Sequence, residues 1–367
     1  MSLSSKISVA ISTLFMILSV HVYADITYKN LALLINEKDP ESIEIGGYYQ
    51  KARNIPLENI IYLNFDHDDN VLSVSEFRKI EEKLKKRIGD QVQGYVLAWR
   101  KPWRVGCMSI TSAFTLGFDK SYCANGCKLT KPVEYFNSQS RFPYRDFKIR
   151  PSMMLSGGGL NSVKKLIDNG VEADYSRPMG TAYLMDTSDK HRNVRKIYYP
   201  LIKESLSSLL KVEIIEADSI KNVADVLFYF TGLKKVQRIR ENNYLPGAIA
   251  DHLTSTGGKL FGGNQMSILR WIDSGVTGSY GTVKEPCNFV HKFPNPGIVM
   301  QNYLSGETLI ESYWKSVKMP GQGVFVGEPL ANPYKGCILV KSKNEKAQFL
   351  NGKPIDSYVV KSSKNCN

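Results

Sequence analysis

Histidine is scarce here, five in 367 residues, and the motifs that most often carry hydrolytic or nucleotide chemistry are missing. No H-E-x-x-H sets two histidines on one helix face around zinc, and no G-x-S-x-G, EF-hand loop or G-x-x-x-x-G-K-[ST] occurs. Gly157-Gly158-Gly159 and Gly257-Gly258 lack the spacing that cradles phosphate and read as tight turns. No Pro/Ser/Gly linker or low-complexity tract divides the chain, and no internal period is evident. The pattern calls for no cofactor, no metal and no nucleic-acid partner.

One apolar run is present at the start. Residues 1–24 carry Lys6 as their only charge, continue through Ile7–Val20 and close on Val22-Tyr23-Ala24. That is the form of a secretory leader cleaved after Ala24, and its core falls short of the ~20 residues that span a bilayer. No later segment is long and apolar enough to be a membrane span. The expected mature chain therefore begins at Asp25 in the periplasm or outside the cell. Losing the leader removes Lys6 from a net charge of +13, so the exported protein stays strongly basic. Such charge favours anionic polysaccharide or another exported protein by long-range attraction, and equally suits a solvated surface with no ligand.

The six cysteines, Cys107, Cys123, Cys127, Cys287, Cys337 and Cys366, are an even set for an oxidising compartment. Cys123 and Cys127 flank Asn125-Gly126 and read as a local loop staple, and Cys337 to Cys366 as a tie for the tail.

Periodicity orders the elements. Leu31–Ile35, Ile60–Leu63 and Gly94–Trp99 are strands; 41–53 is helical, and Ser73 with Glu76 caps a helix that Gly89 ends. Val105–Ser156 is irregular. Further on, 162–168 reads as a helix stopped by Asn169-Gly170, 194–210 as a helix containing Pro200, 234–241 as helical, 265–273 as a helix capped by Asn264, and 310–317 as the last helix. Gly180–Met185, Val212–Ile215 and Val226–Phe230 are strands, and Asn351-Gly352 marks a tail hairpin. Alternating strands and helices predict an α/β protein with a mostly parallel sheet covered on both faces, over 25–336, followed by a tail over 337–367.

Several residues could carry function. Asp186, Asp189, His191, Arg192 and Arg195 follow a strand end, where ligands sit in open α/β sheets. They could also cap the next helix and pair i to i+3. Trp99, Arg100, Trp103 and Arg104 follow another strand end and mix aromatic with cationic groups, as a carbohydrate or acidic peptide requires. Asp251 and His252 could act as acid and base, although neighbours on a strand point to opposite faces. Cys287 lies near Glu285 and His291, which allows a relocated Cys/His pair or an oxidised cysteine.

NIPLENIIYLN at 54–64, GTAYLMDTSDKHRNVR at 180–195, and the stretches GVTGSYGTVKEPCN and YLSGETLIESYWKSVKMPGQGVFVGEPLANPY resemble an uncharacterised family of secreted bacterial proteins found with exosortase systems. More distantly, the element order is similar to caspase and gingipain-like cysteine peptidases, in which a His-Gly follows one strand and the nucleophilic Cys ends the next. Here Thr231-Gly232 stands at the first place, and Pro246–His252 holds no cysteine at the second. The resemblance implies a caspase-like scaffold without its dyad, on which Thr231 and the 247–252 strand end lie side by side. The cleft above them is then expected to be lined by 186–195 and 278–287. Two readings follow: a non-peptidase binding or assembly protein of the envelope, or a hydrolase built on Asp186, Asp189, Asp251 and His252.

Overall fold

The computed structural model describes residues 26–337 and four short tail strands, 339–341, 348–350, 353–355 and 360–362. The expected leader and Cys366 lie outside these residues.

Ten strands form one sheet: β1 Leu31–Asn36, β2 Ile60–Leu63, β3 Gly94–Leu97, β4 Ser152–Met154, β5 Thr181–Asp186, β6 Lys211–Glu216, β7 Val226–Thr231, β8 Tyr244–His252, β9 Gly278–Thr282 and β10 Gly323–Gly327. In space they run β2-β1-β3-β4-β10-β9-β8-β7-β5-β6. All neighbours are parallel except β9 and β10, which pair antiparallel from Gly278 opposite Gly327 to Thr282 opposite Gly323. The sheet thus consists of two five-stranded blocks running in opposite directions, each ordered from its outer edge second-first-third-fourth-fifth strand of the block and joined at the β9–β10 seam. This internal repeat of topology has no counterpart in the amino-acid pattern.

Side-chain alternation explains the layers. In β1, Leu31, Leu33 and Ile35 enter one core and Ala32 and Leu34 the other, and all six residues are buried, as a strand covered on both faces requires. One face carries helices α1 Pro40–Arg53, α6 Tyr199–Leu206, α8 Pro296–Leu304 and α9 Leu309–Ser316; the other carries α2 Val74–Arg87, α3 Ile110–Leu116 and α7 Leu269–Ile272. α4, Pro143–Phe147, is a single short turn, and α5, Leu160–Ala173, contributes to both cores. Caps account for several ends. Asp39 accepts from Glu41 N ahead of Pro40, Asn54 closes α1 at φ 53°, and Ser73 accepts from Glu76 N. α9 packs straight onto the seam: a Cβ on Gly278 would stand 2.7 Å from Leu309 Cδ2.

The fold class agrees with expectation, as do the tail strands 348–350 and 353–355, which pair antiparallel on either side of Asn351-Gly352. Other expectations fail for physical reasons. α5 does not stop at Asn169-Gly170. Gly170 is a packing position there, because a Cβ would lie 2.5 Å from Glu328 Cβ, and Asn169 donates to Gly275 O. Pro200 lies not in the middle of one long helix but in the first turn of α6, which starts only at Tyr199 after a 3-10 turn over Asn193–Tyr198. Asn264 caps nothing: α7 begins only at Leu269, whose N–H donates to Ser267 Oγ. Over 234–241 only Ile239–Glu241 is helical, as a 3-10 turn entered through Arg238 in the left-handed region at φ 57°. The region 105–156 holds α3, α4 and β4; β4 spans three residues, too few to show a period.

Disulfides join Cys107 to Cys123 and Cys127 to Cys287, and no cysteine among the described residues is free. The local Cys123–Cys127 staple is therefore not formed. A turn with Lys128 N on Asn125 O and Gly126 at φ 56° directs the two cysteines to different partners. The longer bridge ties the loop after β9 to the segment after α3. No helix among the described residues is long and apolar enough to cross a membrane.

Candidate functional site

The carboxyl ends of β5, β6, β7, β8 and β9 share one rim. Thr231 and His252 are register partners in adjacent strands, as expected of the two positions where the resemblance places a dyad. Asp251 and His252 point into different layers, and each is consumed there.

His252 is 1% exposed. Its Nδ1 accepts from Trp271 Nε1 at 3.0 Å, which leaves the proton on Nε2 to donate to Met266 O at 3.0 Å. Burial lowers its pKa to about 4, so the ring is neutral and both nitrogens are occupied. Asp251, on the other face, lies 2.6 Å from Arg195 Nη1, with both side chains 1% exposed. The contact is close but poorly aligned, and neither carboxylate oxygen accepts a well-directed hydrogen bond. Burial therefore dominates and raises Asp251 to about 6, against the opposing pull of Arg195. Arg195 is anchored further by Nη2 on Thr231 O at 2.6 Å and by Pro294 O at 3.4 Å.

A second buried pair adjoins the first. Lys292 Nζ lies 3.7 Å from Glu285, with both side chains fully buried. Burial lowers the lysine's pKa, and Glu285 counters part of that. Glu285 also accepts from Cys287 N and Asn288 N, so the carboxylate organises the turn that carries the Cys127–Cys287 bridge. Tyr280 stands between the pairs and donates to Lys292 O at 2.5 Å. Burial drives its pKa well above the ordinary phenol range, with Asp251 and Glu285 adding to the rise. The Cys287 sulfur is bonded and offers no thiolate in this state.

The remaining candidates fall into two groups. Asp186 accepts from Asn193 Nδ2 and pairs with Lys196 at 3.1 Å; Asp189 caps His191 and Arg192 N–H groups and pairs with Arg192 at 2.8 Å; Arg192 Nε reaches Thr254 Oγ1 at 3.1 Å. These sit on the rim described. Trp99, Arg100, Trp103 and Arg104 sit at the carboxyl end of β3, in the oppositely running block, and are not brought together with them. Each of the four is held locally: Trp99 Nε1 by Pro102 O, Arg100 by Glu41, Gly157 O and Gly158 O, Trp103 Nε1 by Asn70, and Arg104 Nε by Gly106 O.

A cleft of about 650 Å³ opens on the rim, lined by 186–188, Lys190, Asn193, Lys196 and 216–218. It opens between the ends of β5 and β6, and of the residues expected around a cleft above Thr231 and 247–252 only members of 186–195 line it; Thr231, 247–252 and 278–287 do not. Glu216 and Asp218 were not anticipated as site residues. Their one signal is position, since Glu216 ends the strand neighbouring Asp186 and Asp218 follows it by two residues.

No family model matches the chain, and no curated protein matches it. A solved structure described as "Structure of Protease" aligns with 10% identity and a TM-score of 0.46, over 88% of this chain and 83% of that chain. A likeness at that level says nothing about activity.

Proposed function

We propose that this chain is an exported, non-peptidase binding or assembly protein of the cell envelope on a caspase-like scaffold. The observation that carries this reading is the state of Asp251 and His252. At the strand ends where the chemistry of the resembled peptidases would reside, the imidazole is neutral with both nitrogens engaged, and the carboxyl is locked to Arg195. A general base must reach a proton of its substrate, and neither group is exposed to one. Export is supported by the leader pattern at 1–24, by the likeness to a secreted family found with exosortase systems, and by two disulfides. The polar cleft at 186–188 and 216–218 supplies the place to bind.

The hydrolase reading, built on Asp186, Asp189, Asp251 and His252, would need Asp251 or His252 to leave its buried partner, or Asp186 and Asp189 to act from their ion pairs with Lys196 and Arg192. The test is incubation of the purified, oxidised exported protein with a quenched fluorescent peptide library between pH 5 and 8. No cleavage is expected, before or after mild reduction. Cleavage lost in Cys287→Ser while the melting temperature is unchanged would overturn the reading in favour of a cysteine nucleophile, and cleavage lost in His252→Gln would favour the acid–base alternative.

A further inference from the structure

The two outer strands of the sheet are not alike. At one edge, Lys83 Nζ sits 2.9 Å from Tyr62 O, so a cation already covers a backbone acceptor of β2. At the other edge, all six residues of β6 are in register with β5, and among the described residues no strand lies on the far side of β6. A sheet edge left open in this way is a template for another extended chain. Ile214 on β6 is 36% exposed, so the edge offers apolar contact as well as backbone groups.

The charges at its end select the partner. Lys211 is paired with Glu213 at 3.1 Å and Lys196 with Asp186 at 3.1 Å. Glu216 and Asp218, both exposed, have no cationic partner among the described residues; Asp218 accepts only from Ser188 N and Oγ, each at 2.8 Å. Two carboxylates without a salt-bridge partner among the described residues thus border the cleft at the carboxyl end of the open strand; of the two lysines that also line it, Lys196 is held by Asp186, which leaves Lys190 against the two and the cleft acidic on a chain whose net charge is +13. We propose that β6 accepts an extended segment of another exported protein as an added strand, with a lysine or arginine of that segment placed beside Glu216 and Asp218. A second copy of this chain fits less well. Antiparallel pairing would bring Glu213 and Glu216 of both copies along one seam, with only Lys211 from each to offset them.

This deepens the binding reading above and rests on it. The probe is a fluorescent heptapeptide of alternating valine and lysine, mixed with the full oxidised protein, with amide hydrogen exchange as the readout. Exchange over 211–216 is expected to slow severalfold while 60–63 is unchanged. Glu216→Lys with Asp218→Lys is expected to weaken binding at least tenfold at an unchanged melting temperature, and N-methylation of alternate peptide amides to abolish it. Failure to bind, binding without slowed exchange over 211–216, or binding indifferent to N-methylation overturns the proposal. Protection of 211–216 that rises with protein concentration in the absence of peptide assigns the edge to a second copy and also overturns it. Cleavage of the peptide would instead sink the non-peptidase reading, whereas uncleaved peptide bound elsewhere sinks the edge assignment alone.

Discussion

Trp271 donates its indole N–H to His252 Nδ1 across 3.0 Å, and that bond fixes the imidazole as a neutral structural group. A histidine whose folded pKa is depressed must lose its proton to fold. Its contribution is complete above the free value of 6.5 and is lost as pH falls from there toward about 4. At 1.36 kcal/mol per unit this is about 3 kcal/mol.

Asp251 acts in the opposite sense. Its folded pKa is raised from 3.8 to about 6, so the folded state holds the proton more tightly, and stability falls as pH rises through that window. Asp251→Asn should therefore gain on the parent protein by about 3 kcal/mol between pH 4 and pH 6. Urea unfolding of both proteins at several pH values measures this, and a constant difference would refute it.

Removing one member of the buried pair should be severe. Arg195→Met leaves Asp251 buried without its cation and is expected to lose roughly 3–5 kcal/mol at pH 7. Arg195→Met with Asp251→Leu should recover much of that loss. Chemical denaturation of the two variants makes the comparison.

Gly170→Ala should destabilise by about 1–3 kcal/mol. The added methyl meets Glu328, whose carboxylate accepts from Tyr49 at 2.7 Å and from Arg53 Nε at 3.0 Å. The same exchange at Gly47, with nothing within 4 Å, should be neutral or stabilising in a thermal melt.

Without reductant, Cys107, Cys123, Cys127 and Cys287 should resist alkylation after denaturation, as mass spectrometry of labelled peptides would show. Replacing Cys127 and Cys287 together by serine should cost about 2–5 kcal/mol.

What the sequence revealed was local. Leu31–Ile35 and the Ser73–Glu76 cap announce themselves through neighbours in the chain, and β1 and α2 follow. β4 is three residues long, and α5 runs through Asn169-Gly170 because of Glu328, a residue distant in sequence. The Arg195–Asp251 and Lys292–Glu285 pairs depend on which strands become neighbours, and no spacing rule encodes that. Arg195, Asp251, His252 and Glu285 were identifiable as candidates, but their enclosure was not. Lys292 carried no signal, being one lysine among many.

The β9–β10 seam also dictates an order of assembly. Both strands come late in the chain, yet they occupy the middle of the sheet, between β4 and β8. Until residues 278–327 arrive, the earlier strands can form only two separate four-stranded slabs, each with a raw flank where its neighbour will later dock. A chain made amino end first would thus remain two separate halves until almost all of it has emerged. Closure would come as a single late event, a zipper drawn through the centre. Pulsed proteolysis during refolding should show 94–97 and 244–252 gaining protection together, at the moment 278–327 does.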